Sequence, residues 1–112
     1  MSDSVFGPGF ILQAPLFAAL GDETRLSLIE KLCRLSRQSI SQLAEGTSLT
    51  RQAITKHLRV LERAGLVRSA RVGRETLFEF DATPIGTMTQ YLDMAAAQWE
   101  RKLGDLKTFL EE

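Results

Sequence analysis

The chain has 112 residues, of which 44% are hydrophobic, 25% charged and 7% aromatic. That length allows one modest core and leaves no room for a second independent domain, and a core this small gains most when a long apolar element is covered by a second copy of the chain. Fourteen basic and fourteen acidic residues cancel to a formal charge of zero, which weighs against a nucleic-acid partner until the distribution is considered. Residues 46–80 carry Arg51, Lys56, Arg59, Arg63, Arg68, Arg71 and Arg74 against Glu62, Glu75 and Glu79, a local net of +4, whereas residues 1–45 sum to −1 and residues 81–112 to −3. A chain with its positive end on one segment can meet a polyanion there and stay soluble through the acidic remainder. The single cysteine, Cys33, forms no intrachain disulfide, no apolar run reaches the roughly 18 residues of a membrane span, and the N-terminus lacks a signal-peptide pattern. The expectation is a cytoplasmic protein with no membrane partner.

Taken in chain order, residues 1–9 read as a flexible lead-in, and residues 10–112 as a single domain. A short apolar helix is predicted through Leu16, Phe17 and Leu20, with Pro15 in its first turn and Gly21–Asp22 ending it. Leu26, Ile29, Leu32 and Cys33 then recur at helical spacing. Ser39 followed by Gln42 is a capping box for a short helix that Gly46 terminates. Thr50 caps a further helix with Ala53, Ile54, Leu58 and Leu61 on its inner arc and Gly65 past its end. Two short helices joined by a tight turn, over residues 40–64, form a helix-turn-helix, in which the second helix is the reader.

After Gly65 the period changes from about 3.6 to about 2. Leu66–Val72 and Thr76–Phe80 are the predicted strands, with Gly73 and Arg74 at the hairpin tip, so residues 66–80 form a wing. Pro84 opens a last helix over residues 84–110. Its Ile85, Met88, Leu92, Ala95, Trp99, Leu103, Leu106 and Leu110 are spaced 3, 4, 3, 4, 4, 3 and 4. At about 27 residues, roughly 40 Å, this seam exceeds what a small core covers. Together with Leu16 and Phe17 it is the expected homodimer interface. The fold class that follows is mainly α with a small β-hairpin: a winged helix-turn-helix of five or so helices.

The stretch Ala19-Leu-Gly-Asp-Glu-Thr-Arg-Leu26 resembles the opening of the ArsR/SmtB family of bacterial winged-helix repressors. So does Thr50-Arg-Gln-Ala-Ile-Thr-Lys-His-Leu-Arg-Val-Leu-Glu-Arg-Ala-Gly-Leu-Val67, followed by the short wing Arg71-Val-Gly-Arg-Glu75. The resemblance covers nearly the whole chain from Leu16 onward. It implies a dimeric repressor binding a partly palindromic operator on double-stranded DNA. Many members of the family release DNA on binding metal, through cysteines in the helix before the reader or through His, Asp and Glu on the C-terminal helices. Here the first of those helices reads Ile40-Ser-Gln-Leu-Ala-Glu45, without cysteine, and the C-terminal helix has no histidine. Ser48 stands where the family usually has a turn glycine, with Gly46 two residues earlier.

At 100° per residue, Gln52, Thr55, Lys56, Arg59 and Arg63 fall on the outer arc of the reader helix. Gln52 suits adenine, Thr55 a base edge or thymine methyl, and Arg51 a guanine or phosphate, with Thr50 at the helix start beside them. Lys56 and Arg59 are assigned to phosphates, Arg71 and Arg74 to the minor groove at the wing tip, and Arg68 lies nearer the strand base. Arg63 contacts DNA, pairs with Glu62 or is solvated. His57 flanks the buried arc and is either a hydrogen-bonded, buried imidazole or a phosphate contact. Cys33 reads as core filler, with an effector or oxidation sensor as the rival. Met88, Tyr91 and Trp99 read as dimer packing, a place where an effector could also lodge.

The sole histidine has no nucleophile partner and the serines and carboxylates form no active-site motif, so no catalytic residue is assigned. The alternatives to DNA repression are a winged-helix module docking an acidic protein and a metal-responsive repressor with an atypical site. The sequence names neither operator nor effector. One histidine and one cysteine cannot supply the ligands of a usual zinc site, so no metal and no cofactor is expected. Protein purified without added metal should therefore carry far less than one equivalent per subunit, and chelation should leave specific DNA affinity unchanged; stoichiometric metal that departs together with that affinity defeats the expectation.

Overall fold

A computed structural model describes residues 8–111. Their elements are helices α1 (Pro8–Ile11), α2 (Ala14–Leu20) and α3 (Glu23–Leu35), strand β1 (Gln38–Ser39), helices α4 (Ile40–Ala44) and α5 (Arg51–Arg63), strands β2 (Val67–Val72) and β3 (Glu75–Phe80), and helix α6 (Thr83–Glu111). The chain divides into two compact units: Pro15–Pro84, and a second made of the described residues up to Ala14 together with those from Ile85 onward. The architecture is mainly helical with an antiparallel wing and a long C-terminal helix. Helix α1 begins at Pro8, inside the segment expected as a lead-in; the rest of that segment lies outside the described residues.

In the first unit, Pro15 sits in the first turn of α2, where its missing N–H costs nothing. Asp22 does more than break the chain after α2. It is the N-cap of α3, its Oδ1 accepting the N–H of Arg25 at 3.1 Å. The buried side of α3 consists of Leu28 and Leu32, one turn apart, while Leu26 and Cys33 are exposed and Ile29 is half-buried. This corrects the stripe read from the sequence and, with it, the placement of Cys33 in the core. Leu28 and not Cys33 partners Leu32 at helical spacing, and Cys33 lies 100° round the helix from Leu32.

Strand β1 was not anticipated, since two residues carry no legible period. It pairs antiparallel with β3, Gln38 opposite Phe78 and Ser39 opposite Leu77, so the sheet runs β1-β3-β2. Ser39 also opens α4 by the expected capping box: its hydroxyl accepts the N–H of Gln42 at 3.1 Å, and Gln42 Oε1 accepts the N–H of Ser39 at 2.8 Å. Lys31 Nζ donates to the carbonyls of Leu43 and Glu45 at 3.2 and 3.4 Å, tying α3 to the far end of α4. In the turn that follows, Gly46 takes the positive φ of 76°, while Ser48 has none. The left-handed residue needed here is supplied two positions early, and Ser48 has no need to be glycine.

Thr50 caps α5 by accepting the N–H of Ala53 at 3.1 Å. At the other end Gly65 N–H donates to Glu62 O and Leu66 N–H to Leu61 O, both at 3.0 Å, with Gly65 at φ 79°. That pair of bonds is a Schellman motif, and it takes Leu66 out of the strand expected to begin there. Ile54, Leu58 and Leu61 are wholly inaccessible, as are Leu43 and Leu66. Helix α5 packs on α3, α4 and β2, and truncating any of its three inner residues to alanine costs about 2–5 kcal/mol. The wing pairs Val67 with Phe80 through to Val72 with Glu75. Its two-residue tip, Gly73–Arg74, places the positive φ of 63° on Gly73, as a type II′ turn requires at its first position.

In the second unit, Met88 of α6 is buried and Ile85 and Ala95 are half-buried. Leu92, Leu103 and Leu106 are about half exposed, and Trp99 and Leu110 are 64% and 73% exposed. The seam thus stays open along most of its length.

Asp22 provides a pH handle on the first unit. Its carboxyl is held below the usual carboxylate range first by the backbone N–H of Arg25, then by the Arg25 guanidinium. A folded-state value below the unfolded one contributes stability above the unfolded value and loses it as pH falls through the folded value. Asp22→Asn should accordingly be less stable than the native protein at neutral pH, and the gap should close on acidification in urea titrations across acid pH. A gap independent of pH would mean the carboxylate charge contributes nothing.

Candidate nucleic-acid interface

Every residue assigned above to DNA lies within the unit Pro15–Pro84. With Ile54, Leu58 and Leu61 turned into the core, the outer arc of α5 presents Arg51, Gln52, Lys56, Arg59 and Arg63 as exposed side chains, with Thr55 half-buried. These do not stand equally free. The Thr50 hydroxyl is used in capping, and Thr55 Oγ1 donates to Arg51 O at 2.8 Å, leaving its methyl and its lone pairs for a ligand. Arg59 pairs with Glu62 at 3.2 Å, and Glu62 also accepts the Ser69 hydroxyl at 2.8 Å. Glu62 therefore holds Arg59 rather than Arg63. The side chains of Arg51, Gln52, Lys56 and Arg63 have no hydrogen-bond or ion-pair partner among the described residues.

Arg51 at the start of α5 and Arg74 at the wing tip line one polar cleft, whose walls include Ser39, Ser41 and Thr76 and one acid, Glu75, so that its formal charge is +1. An adjoining groove on the same side of Arg51 is lined by Ile40, Gln52, Thr55 and Lys56. Ser41 and Thr76 were missed in the sequence. The signal was available only indirectly: Ser41 follows the α4 cap, and Thr76 stands opposite Arg71 in the hairpin register. Cationic forks, hydroxyls and the free N–H groups of a helix start are the groups that hold phosphate oxygens, and an adjacent amide such as Gln52 suits a base edge.

Arg71 also lies exposed on the wing, its Nε donating to Gly73 O at 3.4 Å. Arg68 is drawn elsewhere. It pairs with Glu79 at 3.3 Å and Asp81 at 3.7 Å, while Glu79 meets Arg37 at 3.8 Å. The Asp81 carboxyl is held below its usual range first by the backbone N–H of Thr83, and Arg68 lowers it further. His57 is half-buried, and its Nδ1 lies 3.2 Å from Arg25 Nη1, which fits the hydrogen-bonded imidazole anticipated for it. Of the residues expected at a dimer interface, Leu16 and Met88 are buried within the single chain, and Phe17 is half-buried. No group of three or more His, Cys, Asp or Glu side chains among the described residues could hold a metal ion, and none of their helices is long and apolar enough to cross a membrane.

Capped helix, tight turn, second helix and two-stranded wing, with basic side chains facing out from the last two, define a winged helix-turn-helix protein. Residues 22–69 match the model of the arsR family of bacterial regulatory proteins. The uncharacterized HTH-type transcriptional regulator YuzN of Bacillus subtilis is 40% identical over 76 residues, 62% of this chain and 83% of that protein. The HTH-type transcriptional regulator Rv2034 of Mycobacterium tuberculosis is 31% identical over 85 residues, 76% of each. The solved structure of an ArsR-like transcriptional regulator from Rhodococcus sp. RHA1 superposes with a TM-score of 0.84 at 38% identity, covering 91% of this chain and 93% of that one. The chain belongs to the ArsR family of winged helix-turn-helix transcriptional regulators. Members of this family are regulators and not catalysts, and they generally bind DNA as dimeric repressors.

Proposed function

We propose that this chain is a sequence-specific repressor that binds a partly palindromic operator on double-stranded DNA as a homodimer, with residues 10–112 acting as one functional domain. The observation that carries the reading is the cleft shared by Arg51 and Arg74, opening beside the unpartnered Gln52 and Lys56. In it the reader helix supplies base contact through Gln52 and, by its methyl, Thr55. Thr50, Arg51, Lys56 and Arg59 grip phosphates, and Arg71 and Arg74 engage the neighbouring minor groove. Arg59 must exchange Glu62 for a phosphate to do so, and contributes less than Lys56 on that account.

Selection from random duplex DNA supplies an operator, and titrations at several salt concentrations against a scrambled duplex of equal length test the assignment. Gln52→Ala should cost about 1–3 kcal/mol per base pair read on the operator and little on the scrambled duplex. Arg74→Ala should weaken both and lower the salt slope by roughly one unit for each phosphate that is no longer neutralised. An unchanged ratio of the two affinities in Gln52→Ala removes that residue from the reading face. Absence of any operator preference in the native protein, with tight capture of an acidic protein partner that DNA does not compete away, replaces the DNA reading with a protein-docking one.

The exposed seam of α6 supports the dimer. Leu92, Trp99, Leu103, Leu106 and Leu110 recur at helical spacing and lie open in the single chain. Contiguous apolar surface of this kind marks an interaction site. Truncation after Asp93 should convert the dimer to monomer or aggregate in equilibrium sedimentation; a stable native dimer after the deletion shows that another surface holds the copies together.

A further inference from the structure

Arg25 lies outside the basic set of α5 and the wing, and its side chain is only 16% exposed. All three of its nitrogens are engaged. Nε donates to Ala19 O at 2.7 Å and Nη2 to Ala18 O at 3.2 Å, two carbonyls at the C-terminal end of α2, where a helix leaves its last acceptors without intrahelical partners. Nη1 lies 3.7 Å from Asp22 Oδ2 and 3.2 Å from Nδ1 of His57, in the middle of α5. One guanidinium thus joins the end of α2, the cap of α3 and the reader helix. A guanidinium carries donors only, so in this bond Nδ1 is the acceptor and the ring N–H is the one at Nε2.

We propose that the Arg25–His57 hydrogen bond is a positioning strut that sets the roll of α5 about its own axis, and through it the sequence discrimination of the reading face. The inference rests on α5 being the DNA reader. Ile54, Leu58 and Leu61 hold α5 in the core, but apolar burial is non-directional and leaves a helix free to roll by small angles, and another side-chain bond from α5, Glu62 to Ser69, ties it to the wing rather than to α2 and α3. A fork-to-imidazole bond is directional. His57 stands about 150° from the mean direction of Gln52, Thr55, Lys56 and Arg59 at 100° per residue, so it grips α5 well away from the reading face. A roll of about 10° moves a side-chain tip some 6 Å from the axis by about 1 Å, enough to break a bidentate base contact while phosphate contacts by long flexible lysines and arginines survive. Arg25 and His57 touch no DNA in this scheme; they act through Gln52 and Thr55.

The test uses the full chain, the selected operator and a scrambled duplex, with thermal melting of each variant alongside. His57→Leu removes the acceptor and should lower the operator-to-scrambled affinity ratio by roughly tenfold, the equivalent of weakening one good base contact, with scrambled-duplex affinity little changed. His57→Asn places an amide oxygen close to the position of Nδ1 and should recover most of the ratio; His57→Gln places its amide nearer Nε2 and should not. Because the chain has one histidine, its imidazole nitrogens give a single assignable set of NMR signals. In the free native protein at neutral pH, Nδ1 should be unprotonated and hydrogen-bonded, and Arg25→Lys should shift its resonance. A proton on Nδ1, or an unchanged affinity ratio in a His57→Leu variant that still melts cooperatively, overturns the proposal. A fall of the ratio in both Leu and Asn variants in proportion to their melting temperatures reduces the pair to a structural contact and overturns it as well. If the native protein itself shows no operator preference, the DNA assignment fails first and the positioning role goes with it, whereas the imidazole spectrum still reports whether the bond exists.

Discussion

The exclusion of water from the inner face of α5 is the constraint on which the rest of the structure depends. Ile54, Leu58 and Leu61 have no accessible surface, and the residues around them, Leu43 of α4, Leu28 and Leu32 of α3, and Leu66 with Val67 at the entry to the wing, are buried as well. Each such side chain contributes about 1.5–3 kcal/mol relative to exposure, in a domain whose net stability is of that order several times over. Because α3, α4 and β2 all pack on α5, loosening it would release the turn before it and the hairpin after it. The same burial turns Arg51, Gln52 and Lys56 outward, since at 3.6 residues per turn a helix with one face in the core has no choice about the other.

Which of the outward cations are available for a ligand is decided by the acids of the chain itself. Glu62 holds Arg59, and Glu79 with Asp81 holds Arg68. Surface pairs of this kind add little stability, about 0–1 kcal/mol each, so their effect is better seen as steering than as support. They leave Arg51, Lys56 and Arg74 unpaired on the side where the reader helix and wing tip share a cleft. A chain with no net charge can therefore present a positive face, because most of its neutralising acids are spent on other arginines or lie on other segments, and Glu75 is the one acid left in the cleft.

Apolar packing and polar pairing divide the work in the unit Pro15–Pro84. Packing fixes which face of α5 is buried, with the tolerance of a non-directional force. Directional bonds set the ends and the angle: Thr50 and the Schellman pair at the two termini, Lys31 across α3 and α4, and Arg25 across α2, α3 and α5. Lys31 and Arg25 are basic residues used inside the fold, and nothing in their composition sets them apart from the basic residues turned toward a ligand.

The sequence by itself determined the elements whose signals are local. The Ser39–Gln42 box, the Thr50 cap, Gly65 beyond α5, Gly73 at the wing tip and the inner arc of α5 stand where spacing and side-chain chemistry placed them, because caps, left-handed glycines and helical periods act within four or five residues. The tertiary structure decided whatever depended on a distant partner. Strand β1 exists because β3 pairs with it; Leu28 rather than Cys33 faces the core because the neighbours of α3 select its side; and Glu62 holds Arg59 while Ser69 of the wing holds Glu62. Arg25 and His57 stand 32 positions apart, and no pattern in the chain links them. Only the crossing of α2, α3 and α5 brings a guanidinium to an imidazole, since a hydrogen bond is set by position in space and leaves no period in the chain.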